Sequence, residues 1–194
     1  MRKVVASIFV TVDGVVEDPG GAEGFELGGW SFKYGGRSDD DLQHAGDLLR
    51  GSDALLLGRK TYEGFSQAWP SMTGGGWYAD RMNSIPKYVV SSTLDKAEWN
   101  NSTIINGDLT KEVTRLKEQP GQDILTFGSA ELVNGLLRHG LIDEIRLLIH
   151  PVVLGRGKRL FAEGPPVALA ATDAKVFGSG IVLMIFKPSA GNGR

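Results

Sequence analysis

The 194-residue chain has no cysteine, so it holds neither a disulfide framework nor the thiolates that would hold zinc together with histidine. It also has no stretch near the roughly 20 apolar residues that a membrane span requires. The apolar run Val4 to Val10 follows Arg2 and Lys3, but it is short, lacks a small-residue cleavage site and stops at Asp13, so it predicts a first strand and no signal peptide. Charge of one sign is scarce too: a net charge of -2 with Lys and Arg spread along the chain gives no basic stripe for nucleic acid and no polybasic anchor for a membrane. No Gly-x-Gly-x-x-Gly follows the first strand, which disfavours a Rossmann dehydrogenase, and no repeat of the propeller or solenoid kind is present. These absences predict a cytoplasmic protein whose partner is a small molecule, with no nucleic acid, membrane or metal.

What the sequence does contain is glycine, 27 residues in all, much of it at the ends of apolar runs. The stretch from Ile124 to Phe161 is the most ordered. Ile124 to Phe127 is too brief for a helix and stops at Gly128-Ser129-Ala130, which predicts a strand running into a turn. Leu132, Val133, Leu136 and Leu137 then share one helical face up to Gly140, with Ser129 as N-cap. Ile145, Leu147 and Ile149 alternate as in a strand until Pro151. A glycine directly after a strand lets another backbone approach, and the free amides of the next helix favour an anion such as a pyrophosphate. Gly128, Ser129, Ala130 and Glu131, with Leu132 behind them, are therefore candidate cofactor contacts.

The length suits one domain, 1–188, followed by a flexible tail, 189–194. Val4 to Val12 reads as a buried strand. Residues 14–37 hold eight glycines with Phe25, Trp30, Phe32 and Tyr34, the composition of a long surface loop with aromatic contact points. Ser38 caps a helix whose first turn is Asp39-Asp40-Asp41 and which ends at Gly51. Strand 53–58 then meets Arg59-Lys60-Thr61, a second helix start after a glycine, here with two cations and a hydroxyl suited to phosphate. A second loop runs from Trp69-Pro70 through Trp77-Tyr78 to a strand at 86–91. Ser91-Ser92-Thr93 at the end of that strand either binds a ribose or its phosphate, or caps a turn. A weak strand at 102–106, a helix at 110–118, a turn at Gly155 to Lys158 and a hairpin of strands 167–177 and 181–187 complete the chain.

This order, with Gly58-Arg59-Lys60-Thr61-Tyr62, Ser91-Ser92 and Phe127-Gly128-Ser129-Ala130, resembles the dihydrofolate reductase fold over nearly the whole chain. Leu141-Ile142-Asp143-Glu144 and Pro151-Val152-Val153-Leu154-Gly155 resemble, more closely, the C-terminal reductase domain of the bifunctional riboflavin-biosynthesis deaminase-reductase. The resemblance implies an α/β, dihydrofolate reductase-like three-layer fold with a mostly parallel central sheet and an antiparallel C-terminal hairpin. It implies NADPH as cofactor, with Gly58, Arg59, Lys60 and Thr61 at its phosphates, Ser91 and Ser92 near the adenosine ribose phosphate, and Gly128 to Ala130 at the pyrophosphate. Ala6 and Ser7, with the Val15 to Asp18 loop, would border the nicotinamide, and Asp41 is the nearest counterpart of the carboxylate that binds the pterin. The deaminase half is excluded, because its zinc chemistry needs a Cys-x-x-Cys.

Two classes of function remain. One is a reductase passing hydride to a pyrimidine, a pterin or another conjugated acceptor, like the 5-amino-6-(5-phosphoribosylamino)uracil reductases, with Trp30, Phe32 and Trp77 as substrate wall. The other is a cofactor-binding module without chemistry, its acceptor space filled by Trp30 or Trp77. The apolar C-terminal hairpin further predicts a homodimer.

Overall fold

The sheet is built outward from the first strand, β1 (Val4–Thr11), whose eight residues are all buried except Phe9. The computed structural model describes residues 1–35, 37–72, 74 and 76–189. Strands β2 (Ser52–Gly58), β3 (Lys87–Val90), β4 (Ser102–Ile105), β5 (Asp123–Thr126), β6 (Glu144–His150), β7 (Leu169–Val176) and β8 (Val182–Pro188) complete an eight-stranded sheet in the order β4-β3-β2-β5-β1-β6-β8-β7. The first six in that order are parallel, β8 is antiparallel to β6, and β7 pairs antiparallel with β8. This is the mostly parallel sheet that the family resemblance implies, with the C-terminal hairpin that the sequence pattern predicts.

Alternation along β1 sends Val4, Ala6 and Ile8 to one face and Val5 to the other. The first face packs against α5 (Leu109–Glu118) and α6 (Ala130–Arg138) through Val113, Leu116, Val133 and Leu136. The second packs against α2 (Asp39–Arg50), α3 (Arg59–Ala68) and α4 (Gly76–Ser84) through Leu48, Leu49, Tyr62 and Met82. Full burial of each such aliphatic side chain contributes about 1.5–3 kcal/mol, so the two apolar layers hold the helices on both faces.

Two segments differ from the expected loops. Within 14–37 the chain forms a short helix, α1 (Trp30–Lys33). The loop after Trp69 contains α4, whose Ala79 and Met82 lie three residues apart on one buried face. The end of the chain also pairs further than expected: the Ser189 N–H donates to the Ala168 oxygen at 3.0 Å. The remainder of the predicted tail, 190–194, lies outside the described residues.

Candidate active site

Six parallel strands present their carboxyl ends at one edge of the sheet, and the candidate site forms where β2 and β5 end side by side. The Gly58 N–H donates to the Gly128 oxygen at 3.1 Å, tying the two strand exits together. A Cβ on Gly58 would lie 2.5 Å from Ser129 Oγ and 2.9 Å from Ser129 N, so only glycine permits this approach. Gly128 has a φ of 130°, and a Cβ there would come within 3.2 Å of Thr61 Oγ1; the Gly128–Ser129 peptide is cis.

The consequence is a pair of adjoining helix starts. Gly58 caps α3 with no side chain, and Ser129 caps α6 by accepting the Leu132 N–H. The amides of Arg59, Lys60 and Thr61, and those of Ala130 and Glu131, have no acceptor among the described residues. Five donors and two helix dipoles thus converge on one place, an arrangement suited to a bridged pair of phosphates. The fit to a dinucleotide pyrophosphate is good: the donors are backbone groups held by strand pairing, and Thr61 adds a hydroxyl.

The flanking charges are more committed than the sequence suggests. Arg59 pairs with Glu63 at 3.3 Å, both half exposed, and Glu131 pairs with Lys158 at 2.6 Å, which holds its carboxyl below the usual range. Leu132 packs in the core and offers only backbone. Ser91 Oγ accepts the N–H groups of Thr93 and Leu94 at 3.2 and 2.9 Å, so it caps the turn after β3, while Ser92 is exposed at the same edge. A cavity of about 580 Å³ next to that turn is bordered by Tyr62, Glu63, Leu94 and Trp99, and none of the glycine-turn residues line it.

The predicted nicotinamide and substrate residues are rearranged. Ala6 and Ser7 are buried, with Ala6 level with Thr126. The residue of β1 that opens to solvent at the site is Phe9, 43% exposed although its strand is interior to the sheet. Trp30 is fully buried, donating its indole N–H to the Glu17 oxygen and packing edge-on against His150, so it is a core residue of the loop and no surface contact. Trp77 stands 4.4 Å from the Arg50 guanidinium at the end of α2, beside the amino end of β2, and is thereby removed from the site. Phe32 stays exposed on α1, near Arg37. Asp41 has both oxygens engaged: one accepts the N–H and O–H of Ser38, the other the hydroxyl of Ser179 in the β7–β8 turn. That is the geometry of a helix cap that also anchors the hairpin.

Sequence reasoning passed over Glu23 and placed Asp18 only at the end of a loop bordering the nicotinamide. Asp18 is 2% exposed, and its carboxylate accepts the N–H groups of Ala22, Glu23 and Phe25, folding the glycine-rich loop around itself. The same loop pairs with the segment after β6, through Val16 N–H to the Lys158 oxygen and the Val15–Arg159 bridge. Partial burial and the neighbouring Asp18 charge raise the Glu23 carboxyl above the usual range, against a smaller opposing effect of the Lys60 charge. An Asx-type turn signal at Asp18-Pro19-Gly20 was readable; the position of Glu23 was not.

Strand order and the C-terminal hairpin together define a reductase-type α/β fold, with two adjoining helix starts at its glycine turns. The comparisons agree: the chain belongs to the RibD C-terminal domain family, whose model matches residues 2–183. It is 32% identical over 189 residues to the uncharacterized protein YyaP of Bacillus subtilis (strain 168), covering 95% of this chain and 94% of the relative. Among solved structures, a putative riboflavin biosynthesis protein from Shewanella sp. PV-4 is similar with a TM-score of 0.75 at 21% identity, over 98% of this chain and 100% of that one. A Thermotoga maritima diaminohydroxyphosphoribosylaminopyrimidine deaminase/5-amino-6-(5-phosphoribosylamino)uracil reductase is similar with a TM-score of 0.63 at 14% identity, over 97% of this chain and 57% of that one. At these identities the two structures share the fold.

Proposed function

We propose that the protein is an oxidoreductase that uses NADPH to reduce a small conjugated heterocycle, a pyrimidine or pterin of the kind met in riboflavin or folate metabolism. The observation that carries this reading is the convergence of five unbonded amides from α3 and α6 at the Gly58–Gly128 contact, beside the open end of β1. Bound NADPH would supply the hydride. The chain's own residues hold the phosphates, with Thr61 and the amides at the pyrophosphate and Arg59, Lys60 and Ser92 toward the ribose phosphate. Phe9 borders the ring end. Asp41, occupied by Ser38 and Ser179, has no proton-transfer role in this reading.

A cofactor-binding module without chemistry would have its acceptor space filled by Trp30 or Trp77. Trp30 is instead packed behind His150 and Trp77 lies at the opposite end of β2, while Phe9 remains open, which supports the reductase. Mixing protein, NADPH and candidate pterin and pyrimidine acceptors tests it by the loss of NADPH absorbance. Binding of NADPH with no turnover of any such acceptor favours the module instead.

Cofactor choice gives a second test. Arg59 and Lys60 supply more cationic donors than a bare ribose needs, so NADPH is expected to bind more tightly than NADH. Arg59→Ala should reduce that preference by about tenfold, the lower end for a charge-assisted hydrogen bond because Arg59 is exposed and shared with Glu63. Equal affinity of the unaltered protein for the two cofactors sinks the assignment.

Assembly and location belong to the same reading: a cytoplasmic homodimer joined through the C-terminal hairpin. β7 ends the sheet and its residues from Ala170 to Val176 are all exposed, an edge open to pairing. Light scattering at micromolar concentration is expected to give twice the chain mass. A mass near 20.9 kDa that does not change on concentrating rules the dimer out.

A further inference from the structure

The face of the sheet that carries Phe9 holds a second set of uncommitted groups. Pairing of β1 with β6 sets Ser7 level with Arg146, Phe9 with Leu148 and Thr11 with His150, so these side chains share one face. α2 covers this face only in part: Leu48 and Leu49 pack with Val5, while Phe9 is left 43% exposed.

Arg146 is unusual at such a position. Its side chain is 25% exposed, and its Nε donates to Glu144 Oε1 at 2.6 Å, a carboxylate only 11% exposed. Its two terminal nitrogens have no acceptor among the described residues, and neither does the Ser7 hydroxyl. Glu144 therefore fixes the guanidinium plane and leaves the outer edge of the fork unfilled. Nearby, the Nε2 of half-buried His44 is enclosed without a partner, and Arg146 contributes to holding that imidazole neutral after burial itself. A neutral imidazole beside a cation does not compete for an anion.

We infer that Arg146 is a specificity residue of the acceptor site: its guanidinium edge, with Ser7, takes an anionic or carbonyl oxygen of a planar acceptor whose ring lies on Phe9. A planar fork of N–H donors matches a carboxylate or a ring carbonyl edge-on. The aromatic ring two residues along β1 supplies the apolar floor. The assigned ligand is thus an oxygen-bearing, electron-poor heterocycle with negative charge at one end. This rests on the reductase reading, because it places the acceptor beside the nicotinamide end of the cradle.

Orotate and uracil are suitable probes, being planar pyrimidines that differ by one carboxylate. With NADP⁺ bound, titration calorimetry is expected to show orotate binding at least about tenfold more tightly than uracil. Arg146→Met should abolish the difference, and Arg146→Lys, which keeps the ion pair to Glu144 but loses the fork, should retain only part of it. Phe9→Ala should weaken both rings alike. NADP⁺ titration of each variant shows that it is folded with its cradle intact. Equal affinity for the two rings, no binding of either, or a difference that survives in Arg146→Met overturns the assignment. Failure of the unaltered protein to bind NADP⁺ would instead refute the cofactor reading beneath it.

Discussion

Gly128→Val is expected to remain folded and to lose NADPH binding by about a hundredfold or more, the loss of two or three charge-assisted hydrogen bonds at roughly 1.5–3 kcal/mol each. The backbone at Gly128 has a φ of 130°, a region that a β-branched residue enters only at a cost of about 1–3 kcal/mol. The added Cβ would stand 3.2 Å from Thr61 Oγ1, pressing on the first turn of α3. Relief requires α3 and α6 to separate, which disperses the five amides that the Gly58–Gly128 hydrogen bond brings together. The core beneath need not move, since Leu125 and Leu132 pack below the turn. Gly58→Ala is a milder companion: its φ of -75° is ordinary, so only the overlap with Ser129 acts, and a loss of about tenfold is expected. Circular dichroism and cofactor titration on both variants decide the matter. Folded variants with normal NADPH affinity refute the contact, and unfolding of both would mean that the glycines serve the fold alone.

The two glycine turns were legible because they rest on local rules. A strand that stops at glycine and is followed by a capped helix declares itself within a few residues, as at Gly58 and Gly128. Trp30 and Phe9 were not legible, since their exposure depends on how far separate elements reach. Phe9 is open because α2 covers β1 only near Val5, and no alternation within β1 records where a distant helix stops. Trp30 is buried because the Asp18 carboxylate and the Glu17 oxygen fold the glycine-rich loop back on itself. Asp41 carried a usable signal: Ser38 three residues before an acidic side chain is a capping-box pattern, and the structure uses it so. The spacing of Tyr78, Ala79 and Met82 likewise marked α4, but the glycines before it pointed to a loop.

Lys87→Met is expected to destabilise the protein by about 3 kcal/mol, lowering Tm by roughly 6–12 °C for a chain of this size. Lys87 is fully buried, and its ammonium donates to the carbonyl oxygens of Asn83, Ile85 and Asn100 at 3.1, 2.8 and 2.9 Å, over the Trp99 ring at 4.1 Å. Two of those carbonyls close the carboxyl end of α4, so the cation caps the helix dipole as well as filling three acceptors. Methionine fills the volume and leaves the acceptors bare. Titration separates this from simple packing. Burial pushes the Lys87 ammonium down to about 8, below its usual value in an unfolded chain of about 10.4. Between those values the unfolded chain keeps a proton that the folded protein has released, so stability rises with pH through that window. The methionine variant lacks this contribution, and the gap in Tm between the two proteins should widen from pH 7 to pH 10. A gap that narrows would show that the three carbonyls and the indole face hold the charge more strongly than burial opposes it.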